Sequence, residues 1–221
     1  PDRDYQVRIE SINYAENQTL ELTGRLSSPS SYTSDAKGSE GVIPDDSITL
    51  ITESESNLID APMILNSLDE SGFVAAMNGE LAWPGGSLFR SIDGGQTYSN
   101  LQSFLGNTTV GVCSDLLAVN DGFVISRAES LNLYTITGDF SSITEAQMML
   151  GFHWCAYGVD GRWELIRYAS AVLESDGSTT LSTLIRGARG TEWATGLHEA
   201  GDTIVLLDNQ NNQFIAANLE R

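Results

Sequence analysis

Two histidines, His153 and His198, and two cysteines, Cys113 and Cys155, bound the acid–base and nucleophilic chemistry open to this 221-residue chain. A serine or cysteine nucleophile needs a histidine and a carboxylate beside it, but no serine sits in a G-x-S-x-G elbow and Gly111-Val-Cys113-Ser carries no partner pattern. Cys155 stands two residues after His153, so in a strand the two would share a face and could begin a metal site. A closed zinc site takes about four ligands, and no second Cys/His pair exists. His153-Trp154-Cys155 therefore reads as a strand or loop packed into the core, and no metal or cofactor is expected. The two cysteines read as free, buried thiols in preference to a disulfide.

Carboxylates are harder to dismiss, because the chain has 30 of them. Glu53 with Glu55, and Asp45 with Asp46, lie in polar sequence and read as solvated. Glu174-Ser-Asp-Gly-Ser178 lacks the alternating ligands and terminal glutamate of a calcium loop; Asp176-Gly177 reads as a hairpin turn between 163–173 and 179–185. No phosphate-binding or dinucleotide-binding glycine motif follows a strand.

The densest stretch is Leu181 to Asp208, with Arg186-Gly187-Ala-Arg189-Gly190-Thr191-Glu192-Trp193 and His198 between two apolar runs. Two guanidiniums over glycine amides could hold an anion. The alternative is a clasp: Gly187 and Gly190 turn the chain, Arg186 and Arg189 pair with carboxylates such as Glu192, Glu199 or Asp202, and Trp193 packs inward. The acidity of the chain favours the clasp.

The elements around these residues are short and β-like. Tyr5-Gln-Val-Arg-Ile9 and Leu20-Glu-Leu22 alternate apolar with polar, which predicts a hairpin of two half-buried strands. From Ser27 to Asp46 few residues could build a core, so residues 1–33 read as the end of one domain, 34–46 as a linker and 47–221 as a second domain. That domain carries apolar runs at 47–51, 58–65, 72–77, 87–90, 122–125, 131–136, 163–168, 181–185, 203–207 and 213–216. With 21 glycines for turns, the spacing predicts a mainly β fold, a sandwich or barrel of short antiparallel strands. One short helix is expected at Ser142–Leu150, capped by Thr144 and ended by Gly151.

Charge narrows the partners. Lys+Arg total 11 against 30 Asp+Glu, a formal net charge of −19, and Lys37 is the only lysine. Such a chain repels phosphate backbones and anionic membrane surfaces, so no nucleic-acid partner is expected. No apolar run approaches eighteen residues, so no membrane span is expected either. The chain opens at Pro1 without a methionine, which suggests a piece of something longer.

Ser91-Ile-Asp93-Gly-Gly95-Gln-Thr97-Tyr98 looks like an Asp-box, the hairpin turn of sialidase-like propellers. There Asp93 would accept from turn amides, Gly94 and Gly95 would permit positive φ and Tyr98 would tuck beneath. It occurs once, and a structural turn is the reading favoured over glycosidase activity.

A wider resemblance rests on Leu184-Ile-Arg-Gly-Ala-Arg-Gly-Thr-Glu192, His198-Glu-Ala-Gly201 and Leu206-Leu-Asp208. These resemble the C-terminal region of large phage tail-tip proteins, the big baseplate protein of gene transfer agents and its siphophage relatives. Trp83-Pro-Gly-Gly-Ser-Leu-Phe-Arg-Ser-Ile-Asp-Gly-Gly95 and Asp160-Gly-Arg-Trp-Glu-Leu-Ile-Arg-Tyr-Ala169 resemble further family segments in the same order. The hairpin at 5–26 resembles the end of the preceding hub domain. The resemblance implies a non-enzymatic virion structural protein at a tail tip, homotrimeric in the assembled tail. Its partners would be other tail or baseplate proteins and a host receptor or glycan. The alternative is a carbohydrate-binding or glycan-active β domain, motivated by the Asp-box and by Trp83, Trp154 and Trp193.

Overall fold

The computed structural model describes residues 5–14, 19–27, 53–62, 64, 71–80, 82–122, 124–207 and 212–216. The expected linker at 34–46, the run at 47–51 and Asp208 lie outside the described residues. The chain divides into two compact units, Pro1–Ile48 and Thr49–Arg221.

In the first unit β1 (Val7–Tyr14) pairs antiparallel with β2 (Leu20–Leu26). The register skips Glu10: Ile9 faces Gly24 while Ser11 already faces Thr23. This bulge reverses the alternation of β1 midway. Val7, Ile9, Ile12 and Tyr14 therefore all stand opposite Leu26, Gly24, Leu22 and Leu20, giving one apolar face. The strands were expected to be half-buried. Instead every residue of both is exposed, so the alternation marks an amphipathic ribbon whose apolar side meets no core of its own.

The second unit is mainly β. Its strands are β3 (Ser54–Ile59), β4 (Gly72–Gly79), β5 (Gly86–Arg90), β6 (Ser99–Phe104), β7 (Val110–Cys113) and β8 (Ile125–Thr137). The helix α1 (Glu145–Met149) follows, then β9 (Trp154–Gly158), β10 (Glu164–Leu173), β11 (Thr179–Ile185), β12 (Thr203–Leu206) and β13 (Asn212–Ala216). Six strands close an antiparallel barrel in the order β10-β11-β8-β7-β12-β9. Closure leaves no unpaired edge. A three-stranded sheet, β13-β4-β3, and the hairpin β5-β6 complete the unit.

Alternation along each barrel strand sets its inside. Leu131 and Leu133 of β8, Cys155 and Tyr157 of β9, Ile166 and Tyr168 of β10 share one buried cluster with Leu181, Leu184 and Ile204. The step from Leu181 to Leu184 spans an odd number of residues. A register shift at Thr183, whose φ is +58°, restores the inward phase. The outward residues Trp154, Ala156, Leu165 and Val205 pack instead against Ile59 and Ala76 of the small sheet. Both cysteines are free and buried.

Thr144 caps α1 as expected. Its side chain accepts from the Gln147 amide while the Gln147 side chain accepts from the Thr144 amide, and Gly151 follows the helix at φ +97°. The turn at Asp176-Gly177 is also in place, with Gly177 at φ +85° and Asp176 accepting from the Ser178 amide. Two expectations are corrected. Ile125 and the run at 131–136 belong to one 13-residue strand, β8, which continues through Arg127–Glu129 at the register shift opposite Thr183 of β11. Ser99–Phe104, too polar to register as an apolar run, is a strand held by its hairpin partner β5. Glu55 is exposed, as expected, and lies in β3, where it accepts from Asn78 Nδ2 at 3.1 Å.

Candidate functional site

One mouth of the barrel is formed by the ends of β7, β9 and β11 and the starts of β8, β10 and β12, as antiparallel registry requires. Here the inward rows end in charge. Glu164 continues the row of Ile166 and Tyr168, Asp202 that of Ile204 and Leu206, Glu129 that of Leu131 and Leu133, and Arg186 that of Leu184. Glu164 and Arg186 are both 0% exposed.

Glu164 is the centre. Its Oε1 accepts from Arg186 Nε at 2.7 Å and from the Gly187 amide at 2.8 Å. Its Oε2 accepts from Arg186 Nη2 at 2.8 Å and lies 2.7 Å from His198 Nε2. A carboxylate paired with arginine offers only lone pairs, so His198 Nε2 carries the proton of that bond. Burial pushes the Glu164 carboxyl up, but the bonds from His198, Arg186 and Gly187 outweigh it and hold the group below its ordinary value. Arg186 Nη1 reaches Ala118 O and Glu129. The Tyr157 ring stacks on His198 with centroids 3.8 Å apart.

A second pair lies alongside. Arg162 grips Asp202 with two bonds of 2.7 Å and donates to Leu197 O at 2.6 Å. Asp202 Oδ2 also accepts from the Glu199 amide, and His198 Nδ1 stands 3.4 Å from it outside hydrogen-bond geometry. Asn120 joins the third loop by donating to Glu129 and accepting from the Gly122 amide. The loops 114–122, 159–163 and 186–202 at this mouth are therefore each tied to the Glu164 or the Asp202 cluster.

Both Glu164 oxygens already serve two donors each, and no solvent reaches them. A carboxylate so saturated has no lone pair for a substrate proton or a metal, so the arrangement is a clasp. Arg186 pairs with a carboxylate as expected, but with Glu164 and Glu129 instead of Glu192, Glu199 or Asp202. Those three were nearer in sequence; Glu164 starts β10, the hairpin partner of β11. The two arginines do not converge on an anion. Arg189, at φ +60°, turns away and donates to Ile64 O at 2.6 Å.

The remaining motif residues divide in the same way. Gly187 and Gly190 have φ of +58° and +85°. Buried Thr191 accepts from the Leu165 amide at 2.9 Å and donates to Ala188 O at 2.7 Å. Glu192 is half-buried. Trp193, expected to pack inward, is 59% exposed, because the single helical turn Glu192–Ala194 buries Ala194 in its place. His153 does not share a strand face with Cys155: it precedes β9 at φ +55° and packs its ring 4.7 Å from Tyr168. Among the described residues no group of three His, Cys, Asp or Glu is arranged to hold a metal ion. No described helix is long and apolar enough to cross a membrane.

The Asp-box-like turn joins β5 to β6. Asp93 Oδ1 accepts from the Gln96 and Thr97 amides at 3.0 and 2.9 Å and from Ser91 Oγ, while Oδ2 accepts from Thr97 Oγ1. The bonds from Thr97, then Ser91, hold the Asp93 carboxyl well below the usual range. Gly94 and Gly95 have φ of +73° and +90°, and Tyr98 lies beside Gly95 while remaining exposed. Asp93→Ala should raise amide exchange at Gln96 and Thr97 by at least about tenfold and leave barrel amides unchanged. Equal exchange in the variant would show that the glycines alone hold the turn.

The depressed Glu164 value fixes the sign of a pH effect. Its contribution to stability is complete above the ordinary glutamate value of 4.5 and disappears as pH falls through the lower folded value. Urea midpoints should therefore fall more steeply with acid in the native protein than in Glu164→Gln. Parallel curves would mean that other carboxylates govern acid unfolding.

Residues 108–205 match the model of a family described as Rcc01698-like, C-terminal. The matched span is the barrel, from just before β7 into β12, and includes Glu164, Arg186, His198 and Asp202. No curated protein matches the chain.

Proposed function

We propose that this chain is a structural component of a phage or gene-transfer-agent tail tip, contributing to tail assembly and host-cell attachment. The observation that carries the reading is the family match across the whole barrel. The gene that gives the family its name is associated with a gene transfer agent of Rhodobacter capsulatus. Two features of the chain agree with a particle component. The buried carboxylate at the barrel mouth, Glu164, has both oxygens taken by Arg186, Gly187 and His198. The paired strands Val7–Tyr14 and Leu20–Leu26 present an exposed apolar face, which suits a segment assembled against another surface.

In this reading the chain acts outside the cell as part of a virion. Its partners are neighbouring tail or baseplate proteins and a host receptor or glycan, with a homotrimeric arrangement about the tail axis. Immunogold labelling of intact particles with an antibody against residues 108–205 tests it. Label confined to the distal tail tip is expected. Label on the head, or no signal from purified particles, would sink the proposal.

A further inference from the structure

Arg189, turned away from Glu164, lines a pocket of about 540 Å³ formed by the C-terminal end of α1, the start of β9, Arg167 of β10 and the end of β11. That is within the range of small-ligand sites, roughly 300–1,000 Å³. Ile64, Ile125, Met149, Leu150 and Ile185 make most of its wall apolar. Its charged lining is all arginine, namely Arg167, Arg186 and Arg189, with no carboxylate among the described residues. Arg186 is held by Glu164. The other two stand over one ring, with Arg167 Cζ 4.5 Å and Arg189 Cζ 6.0 Å from the Trp154 centroid.

Arg167 is the cation left unbalanced. Arg127 and Arg162 each grip a carboxylate, whereas Arg167 has no ion pair among the described residues. Its Nη1 donates to Met148 O at 2.9 Å, and its Nε is buried without an acceptor. Its Nη2 makes no bond among the described residues and, unlike Nε, is not shut off from solvent. Burial, then the charge of Arg189, pushes the Arg167 guanidinium below its ordinary value. In a chain with 30 acids against 11 bases, a half-buried cation set beside another cation calls for a counter-charge from outside.

We propose that this pocket binds a carboxylate carried on an apolar body. The proposal rests on the pocket alone and does not depend on the tail-tip reading. The carboxylate accepts from Arg167 Nη2 and is attracted by both guanidiniums, while its body lies along Ile125, Leu150 and Ile185. A phosphate group, with three strong acceptor oxygens, is best met by a nest of backbone amides. Here both lining glycine amides are taken, Gly187 by Glu164 and Gly151 by Met148 O. A neutral apolar ligand would bury Arg167 further with no counter-charge, and a cation would be repelled.

Titration of the ¹⁵N-labelled full chain, followed at the Trp154 indole N–H, provides the test. The probes are octanoate, N-acetyl-L-phenylalanine, 1-octanol and inorganic phosphate. At least one of the two carboxylates should shift the signal saturably, octanoate if the source is an acyl chain and N-acetyl-L-phenylalanine if it is a polypeptide C-terminus. Arg167→Gln should weaken that binding at least about tenfold. Because Arg167 also packs on Trp154, a second variant guards against misfolding. Leu150 is 78% exposed, so Leu150→Glu should keep the native circular dichroism spectrum while its added charge weakens binding about tenfold. Four results would each overturn the proposal: no shift with either carboxylate, octanol binding as tightly as octanoate, the same shift with phosphate, or undiminished binding in Leu150→Glu.

Discussion

Glu164→Ala is expected to lower the unfolding free energy by about 3–5 kcal/mol, the cost of breaking a buried ion pair from one side. The substitution removes the acceptor of two Arg186 bonds, the Gly187 amide and His198 Nε2 together. Arg186 is fully buried, and its remaining contacts, to Ala118 O and Glu129, are longer, at 3.3 and 3.4 Å. The guanidinium therefore keeps its charge in a place water does not reach. Urea unfolding of the purified chain measures the effect. Glu145→Ala, which deletes the exposed partner of Arg127, is the contrast and should leave the midpoint nearly unmoved. A loss below about 1 kcal/mol for Glu164→Ala would mean that the barrel mouth relaxes and admits water, and the clasp would not be a clasp.

Gly187→Val is the second large effect, expected at about 2–4 kcal/mol from a left-handed backbone together with overpacking. Gly187 has φ +58°, and an added Cβ would sit 3.0 Å from both Cα and Cγ of Glu192. Any shift that relieves the contact also pulls the Gly187 amide from Glu164. Gly190 separates the two causes. Its φ is +85° but nothing lies within 4 Å of an added Cβ, so Gly190→Val should cost only the conformational part, about 1–2 kcal/mol. Thermal unfolding of the two variants side by side decides the matter. If Gly190→Val is the more damaging, the contact with Glu192 is not what constrains this turn.

The contrast between these glycines also marks where sequence reading ends. Local chemistry was legible: the Thr144 cap, the Asp176-Gly177 turn, the Asp93 turn and the glycine bends at 187 and 190 all follow from residues within a few positions of one another. The β class followed from runs such as Thr203–Leu207. What was not legible is which carboxylate each arginine takes. Glu164 lies 22 residues from Arg186 in sequence, and the β10–β11 hairpin, with Arg167 opposite Ile185, brings the two together at its open end. A signal was nonetheless present. Glu164-Leu-Ile166-Arg-Tyr168 places a carboxylate in phase with two apolar residues, and Asp202-Thr-Ile204-Val-Leu206 repeats the pattern. A charge in phase with a core row must find a partner or leave the row. The same logic explains Trp193, whose direction was set by a single helical turn that periodicity of strands could not anticipate.

The bulge at Glu10 makes the first unit sensitive to counting. Val7 and Ile9 lie in one phase of β1, Ile12 and Tyr14 in the other, and the one surplus residue brings them back to the same side. Deleting Glu10 would remove no oily atom and would shorten the strand by a single step. Yet it would send half of the apolar stripe to the charged face, as a slipped tooth mistimes a gear. Insertions and deletions in this ribbon should therefore be tolerated in twos and punished in ones, whatever surface the stripe meets.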